Sequence, residues 1–129
     1  MSNLPENFSY SEDHEWISAS ADAAAGTTVK MGITEFAAKA LGEIVYVDLP
    51  AVGDTVQIGE SCGEVESTKS VSDVYSPVNG TVVSVNEALA DAPETVNSDP
   101  FDAGWLIEVE VTEVGPMMTA AEYAAKNKI

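Results

Sequence analysis

From residue 43 to residue 85 the chain is a string of short segments rich in Val, Ile, Thr and Tyr, each cut off by Pro, Gly or Asp within a few residues. Glu43-Ile44-Val45-Tyr46-Val47, Thr55-Val56-Gln57-Ile58, Cys62 to Thr68, Val71 to Tyr75 and Gly80 to Val85 read as strands, because β-branched and aromatic side chains fit a pleated, half-buried surface. Pro50, Gly53-Asp54, Gly59-Glu60 and Pro77-Val78-Asn79-Gly80 read as the turns between them. Strands so short and so regularly spaced point to a mainly β fold, a small sandwich or hybrid barrel of two antiparallel sheets.

The flanks fit the same picture. Glu15-Trp16-Ile17-Ser18 and Thr27 to Ile33 read as strands on either side of a loop from Asp22 to Gly26. Thr34 is a good N-cap for a short helix over Glu35 to Leu41, Glu35 and Lys39 pair across its first turn, and Gly42 can end it. Trp105 to Val111 reads as a further strand whose alternating tail implies one solvated face. Thr119-Ala120-Ala121-Glu122 is a capping box. It opens a C-terminal helix through Tyr123 and Ala125, with Lys126 and Lys128 at the end where cations are favoured. Gly42 to Asp48 resembles Gly80 to Asn86, which suggests two similar halves with a lysine hairpin at one end, although Gly-Val-Val strings also match by chance.

A chain of 129 residues suits one domain over 1–129, and 45% hydrophobic residues suffice for a core. The charge is lopsided, with 22 acidic residues against 5 basic and a net charge of -17. That field repels nucleic acid and anionic membrane surfaces and favours basic partner surfaces. Scattered acidic residues also read as nothing more than a solvated surface suited to a salty habitat. No run approaches the ~18 apolar residues of a membrane span. Met1 to Asn7 has neither a basic region nor an apolar one, so the expectation is a cytoplasmic protein with no signal or transit peptide. Cys62 is the only cysteine and His14 the only histidine. Neither an internal disulfide, nor a metal cluster, nor a Cys/His nucleophile pair can be built from them, and Cys62 is expected as a small buried side chain in a strand.

The basic residues are all lysines, and one of them, Lys69, falls between two strand-like segments in Gly63-Glu64-Val65-Glu66-Ser67-Thr68-Lys69-Ser70-Val71-Ser72-Asp73-Val74-Tyr75-Ser76-Pro77. A hairpin centred on Thr68-Lys69 sets Ser67 opposite Ser70 and Glu64 opposite Asp73. A tight primed turn there needs positive φ at both central residues, which β-branched Thr68 disfavours. The flanking strands must then impose the tip, as rigid scaffolds do for functional loops; a plain surface lysine gives the same pattern.

The segment Glu66 to Asp73, followed by Ser76-Pro77-Val78-Asn79-Gly80, closely resembles the lipoylation segment of the glycine cleavage system H proteins. The likeness continues in His14-Glu15-Trp16, Gly32-Ile33-Thr34, Leu41 to Pro50, Val96-Asn97-Ser98-Asp99-Pro100 and Gly104-Trp105-Leu106-Ile107, in the family's order and over nearly the whole chain. The resemblance implies a carrier rather than an enzyme, with lipoate in amide linkage on Lys69 after the action of a lipoate-attaching enzyme. It implies as partners a pyridoxal-phosphate glycine decarboxylase that loads an aminomethyl group, an aminomethyltransferase that passes the carbon to tetrahydrofolate, and dihydrolipoamide dehydrogenase, which reoxidises the dithiol. It also implies that the loaded arm folds back onto a cleft where Glu15 and Asp73 face the cationic cargo. Asp13 would be a further carboxylate there, at a position where a small hydroxyl residue also fits the family. His14 is expected to be structural, and the chain to act as a monomer.

Two other readings share the lysine hairpin. A biotin carrier typically flanks its lysine with methionines, where this chain has Thr68 and Ser70, and a lipoyl domain of a 2-oxo acid dehydrogenase lacks the His14-Glu15-Trp16 and Gly104-Trp105-Leu106-Ile107 blocks. An acidic interaction domain without a cofactor is the alternative of a different class.

Overall fold

A computed structural model of the chain describes residues 4–129; Met1 to Asn3, part of the segment tested above for a leader, lie outside the described residues. The described elements are β1 (Ser9–Tyr10), β2 (Glu15–Ile17), α1 (Ala21–Ala24), β3 (Thr28–Ile33), α2 (Glu35–Leu41), β4 (Ile44–Asp48), β5 (Thr55–Val56), β6 (Ser61–Ser67), β7 (Val71–Tyr75), β8 (Val78–Val85), α3 (Ala88–Asp91), α4 (Thr95–Ser98), β9 (Ile107–Val114) and α5 (Ala120–Asn127). The strands form a six-stranded sheet in the order β1-β2-β3-β9-β8-β5 and a three-stranded sheet in the order β4-β6-β7. Every pairing is antiparallel. The mainly β, two-sheet expectation therefore holds, with short helices including the C-terminal one.

The main core is drawn from both sheets. Ile44, Val47, Val65 and Val74 of the smaller sheet meet Val29, Met31, Val82, Val109 and Val111 of the larger. Alternation explains the sidedness: along β9, Ile107, Val109 and Val111 point inward while the acidic residues between them stay outside. The two copies of the Gly-Val-Val string fall on different sheets, one as β4 and the other in β8. A second cluster gathers Tyr10, Trp16 and Tyr123 with Phe8, Phe101 and Trp105. Trp16 Nε1 donates to Ile33 O at 3.0 Å and to Pro100 O at 3.1 Å, and a Cβ added at Gly32 would lie 2.7 Å from the Trp16 ring. Three of the separate sequence blocks thus meet at one indole.

Several boundaries differ from the sequence reading for identifiable reasons. The loop read from Asp22 to Gly26 is largely taken up by α1, which starts one residue earlier at Ala21 and ends before Gly26 at φ +86°. Pro77-Val78-Asn79-Gly80 is not a turn: β8 begins at Val78, where the residue pairs with Val114. β5 stops at Val56 because the Ile58 N–H turns aside to Asn79 Oδ1 at 2.8 Å. β9 begins two residues after Trp105, whose N–H closes a turn on Asp102 O and whose ring joins the second cluster. The α2 cap is as expected: Thr34 Oγ1 accepts from Ala37 N–H and Gly42 follows at φ +90°. The α5 capping box is complete.

Candidate functional site

The β6–β7 hairpin holds Lys69 at its tip. Glu64 pairs with Asp73 and Glu66 with Val71, and the Ser67 N–H donates to Ser70 O at 2.8 Å. The primed turn that β-branched Thr68 disfavours does not form. Neither Thr68 nor Lys69 has positive φ. Instead the Ser67 hydroxyl oxygen accepts from Lys69 N–H at 3.2 Å and Ser70 N–H at 3.1 Å, the local side-chain turn that serine favours. The Thr68 N–H leaves the hairpin altogether and donates to Glu43 O at 3.0 Å. Sequence reasoning set Ser67 opposite Ser70 but missed both the hydroxyl's acceptance of two amides and the link to Glu43.

The Lys69 side chain is exposed, and its stem passes so close to Gly42 that a Cβ there would lie 2.9 Å from Lys69 Cε. Lys30 lies over the Trp105 ring, Lys39 pairs with Glu35 and Lys126 with Glu12. Lys69 forms no ion pair among the described residues, despite exposed Glu64, Glu66 and Asp73 on its own hairpin. Its amine is presented rather than engaged.

Glu15 is no surface charge. It opens β2 at 2% exposure, aimed inward by a turn in which His14 takes the left-handed φ of 71°. Ser11 Oγ donates to Glu15 Oε1 at 2.6 Å and accepts from the Glu15 N–H at 3.0 Å, while the Tyr75 N–H donates to Oε2 at 3.2 Å. Burial pushes the carboxyl up to about 7 against those hydrogen bonds. Glu15 lines a cleft of about 140 Å³ with Asp13, Tyr75, Pro77, Ile58 and Pro116. Asp13 is exposed at its rim. Asp73 lies outside that lining, on the exposed face of β7, where its Oδ1 accepts from Ser61 Oγ at 3.2 Å. The fold thus joins Asp13 to Glu15, and ties Glu15 to the lysine hairpin through Tyr75 rather than through Asp73.

His14 packs its ring on Phe36 at 4.8 Å and places Nδ1 2.7 Å from the Tyr123 hydroxyl, which also meets Thr34 Oγ1 at 2.8 Å. Burial holds its pKa below the usual histidine value. Those contacts fasten α5 to β2. Burial pushes the Cys62 thiol up to about 12, so it stays a thiol between the sheets. The missed residues are Ser11, Ser67 and Asn97. The local spacing of Ser11 and Glu15, and of Ser67 with the two amides that follow it, offered a signal; the Asn97 bonds depend on tertiary structure.

Fold and site define a class: small two-sheet domains that present one unengaged lysine at the tip of a rigid hairpin. A family model described as glycine cleavage H-protein matches residues 8–128, and the chain belongs to that family. It is 64% identical over 129 residues to the glycine cleavage system H protein of Corynebacterium aurimucosum, covering 100% of this chain and 99% of that one. It is 52% identical over 126 residues to that of Streptomyces coelicolor, covering 97% of each. The crystal structure of a glycine cleavage system H protein from Mycobacterium marinum superposes with a TM-score of 0.93 at 51% identity, covering 98% of this chain and 100% of that chain. No helix among the described residues is long and apolar enough to cross a membrane.

Proposed function

We propose that the chain is a single lipoyl-carrier domain of the glycine cleavage system, not itself catalytic, with lipoate held as an amide on Lys69 Nζ. It takes the aminomethyl group of glycine from the pyridoxal-phosphate glycine decarboxylase to the tetrahydrofolate-dependent aminomethyltransferase. It then meets dihydrolipoamide dehydrogenase, acting as a monomer in the bacterial cytoplasm. The observation that carries this reading is the exposed Lys69 amine, in no ion pair among the described residues, on a hairpin tip pinned by Ser67 and Glu43. A primary amine so placed fits amide formation with a carboxylic cofactor, and the amide removes a charge that pairs with no carboxylate among the described residues.

Bound lipoate supplies a dithiol–disulfide pair that opens and closes by thiolate exchange. The chain's own residues do the rest. Ser67 and Glu43 fix where the arm begins. Glu15 and Asp13 set carboxylates in the cleft, where an ammonium group is favoured and would draw Glu15 toward its ionised form, while Asp73 adds negative charge on the exposed face of β7 between that cleft and the tip. Pro77, Pro116 and Ile58 give the cleft apolar walls.

Incubation of the purified chain with a lipoate–protein ligase, ATP and lipoate tests the assignment by intact mass. The expected result is one lipoyl addition on the native chain and none on Lys69→Arg, with both proteins melting alike. Addition to the Lys69→Arg variant, or none to the native chain, overturns it.

A further inference from the structure

The hairpin tip rests on a segment that a distant side chain holds in place. Thr68 N–H docks on Glu43 O, and the Lys69 stem lies against Gly42. Gly42 is the joint between α2 and β4, at φ +90°, where neither the helix nor the strand pairing fixes the carbonyl. Asn97 of α4, whose sequence block was singled out only by its resemblance, takes over there. Its Oδ1 accepts from Ile44 N–H at 2.8 Å, and its Nδ2 donates to Gly42 O at 2.9 Å and to Ala38 O at 3.4 Å. One amide group thus grips the residue before Glu43 by its carbonyl and the residue after it by its N–H. An aspartate of the same length has no donor to offer Gly42 O, and a serine is too short to span both.

We propose that Asn97 is a positioning residue for Lys69: by clamping Gly42 and Ile44 it sets the Glu43 carbonyl on which the tip docks, and so fixes how the lysine is presented for modification. The inference rests on the reading of Lys69 as the attachment point. A clamp at Gly42 and Ile44 acts on the tip through the Glu43 carbonyl, the Lys69 stem against Gly42 and the pairing of Ile44 with Ser67, so its removal loosens Thr68 and Lys69 while the ladder between β6 and β7 keeps its own bonds. Asn86 provides an internal comparison. Its Nδ2 grips Ala103 O at 2.8 Å and Trp105 O at 2.7 Å in the same manner, but on loops that do not carry the hairpin.

The test compares the unmodified native chain with Asn97→Ala, Asn97→Asp and Asn86→Ala as substrates of a lipoate–protein ligase, alongside amide hydrogen exchange and thermal melting. Asn97→Ala is expected to lower kcat/KM for lipoylation about 5- to 10-fold, the scale of one or two lost hydrogen bonds. Thr68 exchange should quicken while the Val65 and Val109 amides keep their protection. Asn97→Asp, which keeps the acceptor and loses the donor, should be slowed in the same sense and decides the matter if Asn97→Ala fails to fold. Asn86→Ala should be modified at the native rate even where its melting temperature falls. A folded Asn97 variant modified at the native rate overturns the proposal, as does equal slowing in Asn86→Ala, which assigns the effect to general loosening. If the native chain gains no lipoyl group, the Lys69 reading fails. The Thr68 exchange rate then still decides whether Asn97 holds the tip.

Discussion

Glu15 is a residue only 2% exposed, and its carboxyl group accepts from two protein donors, Ser11 Oγ and the Tyr75 N–H. Unfolded, it loses its proton near the ordinary 4.5; folded, it keeps the proton to about 7. Between those values the native state binds more protons than the unfolded one, so the stability contributed is full below the lower value and is lost as pH rises toward the upper. The upper bound of that loss is about 3 kcal/mol. His14 works in the opposite sense, because burial lowers its pKa and its contribution grows as pH passes upward through the ordinary histidine range. The difference between two proteins isolates Glu15. In Glu15→Gln the amide can donate to Ser11 Oγ and accept from Tyr75 N–H, much as the protonated acid does, so its melting temperature should fall less than the native chain's between pH 5 and pH 7.5. Parallel melting profiles for the two would remove Glu15 from this role. Lys69, Glu15, Asp13 and Asp73 were each singled out in the sequence by resemblance; the structure puts Lys69 at the hairpin tip, joins Asp13 to Glu15 and leaves Asp73 outside their cleft. That Glu15 is buried was not legible there, because the residue that covers it, Tyr75, is 60 positions away.

At the scale of elements, the strands were legible wherever β-branched residues ran together, and the two capped helices wherever a threonine preceded them. The helices α1, α3 and α4 were not. Each has four residues, too few for a helical period to show. The start of β8 was hidden by its composition. Pro77-Val78-Asn79-Gly80 has the residues of a turn, yet Asn79 uses its side chain to hold Ile58, and Gly80 is a glycine because a Cβ there would run into the Glu110 carbonyl of the neighbouring strand. The hairpin tip escaped the primed-turn rule because Ser67 supplies from its side chain the acceptor that left-handed backbone would otherwise bring into place. Ser67→Ala should therefore leave two N–H groups, those of Lys69 and Ser70, without their partner. The expected cost is about 1–2 kcal/mol, discounted by the water that reaches an exposed tip. Faster exchange of those two amides, with Val65 unchanged, is the readout; unchanged exchange would show that the hydroxyl does not hold the tip.

For the whole molecule the dominant quantity is the net charge of -17, and the exposed ion pairs seen among the described residues, Lys39–Glu35 and Lys126–Glu12, relieve little of its self-repulsion. The compact state concentrates that repulsion. Raising sodium chloride from 0.1 M to 1 M shortens the screening length from about 10 Å to about 3 Å, so the melting temperature should climb by several degrees, roughly 4 °C for each kcal/mol relieved. A flat or falling melting temperature over that range would show that the acidic residues are spaced widely enough not to strain the fold. The lysine tip is insulated from this large surface variable in a particular way. Its tie to the rest of the protein, Thr68 N–H to Glu43 O, runs from main chain to main chain. Such a bond is indifferent to which side chains stand at either position, provided residue 68 is not proline. Both exposed side chains are thereby released to mutational drift: successive sequences can retune the shape and charge around the lysine for new enzyme surfaces while the lysine itself stays where it is.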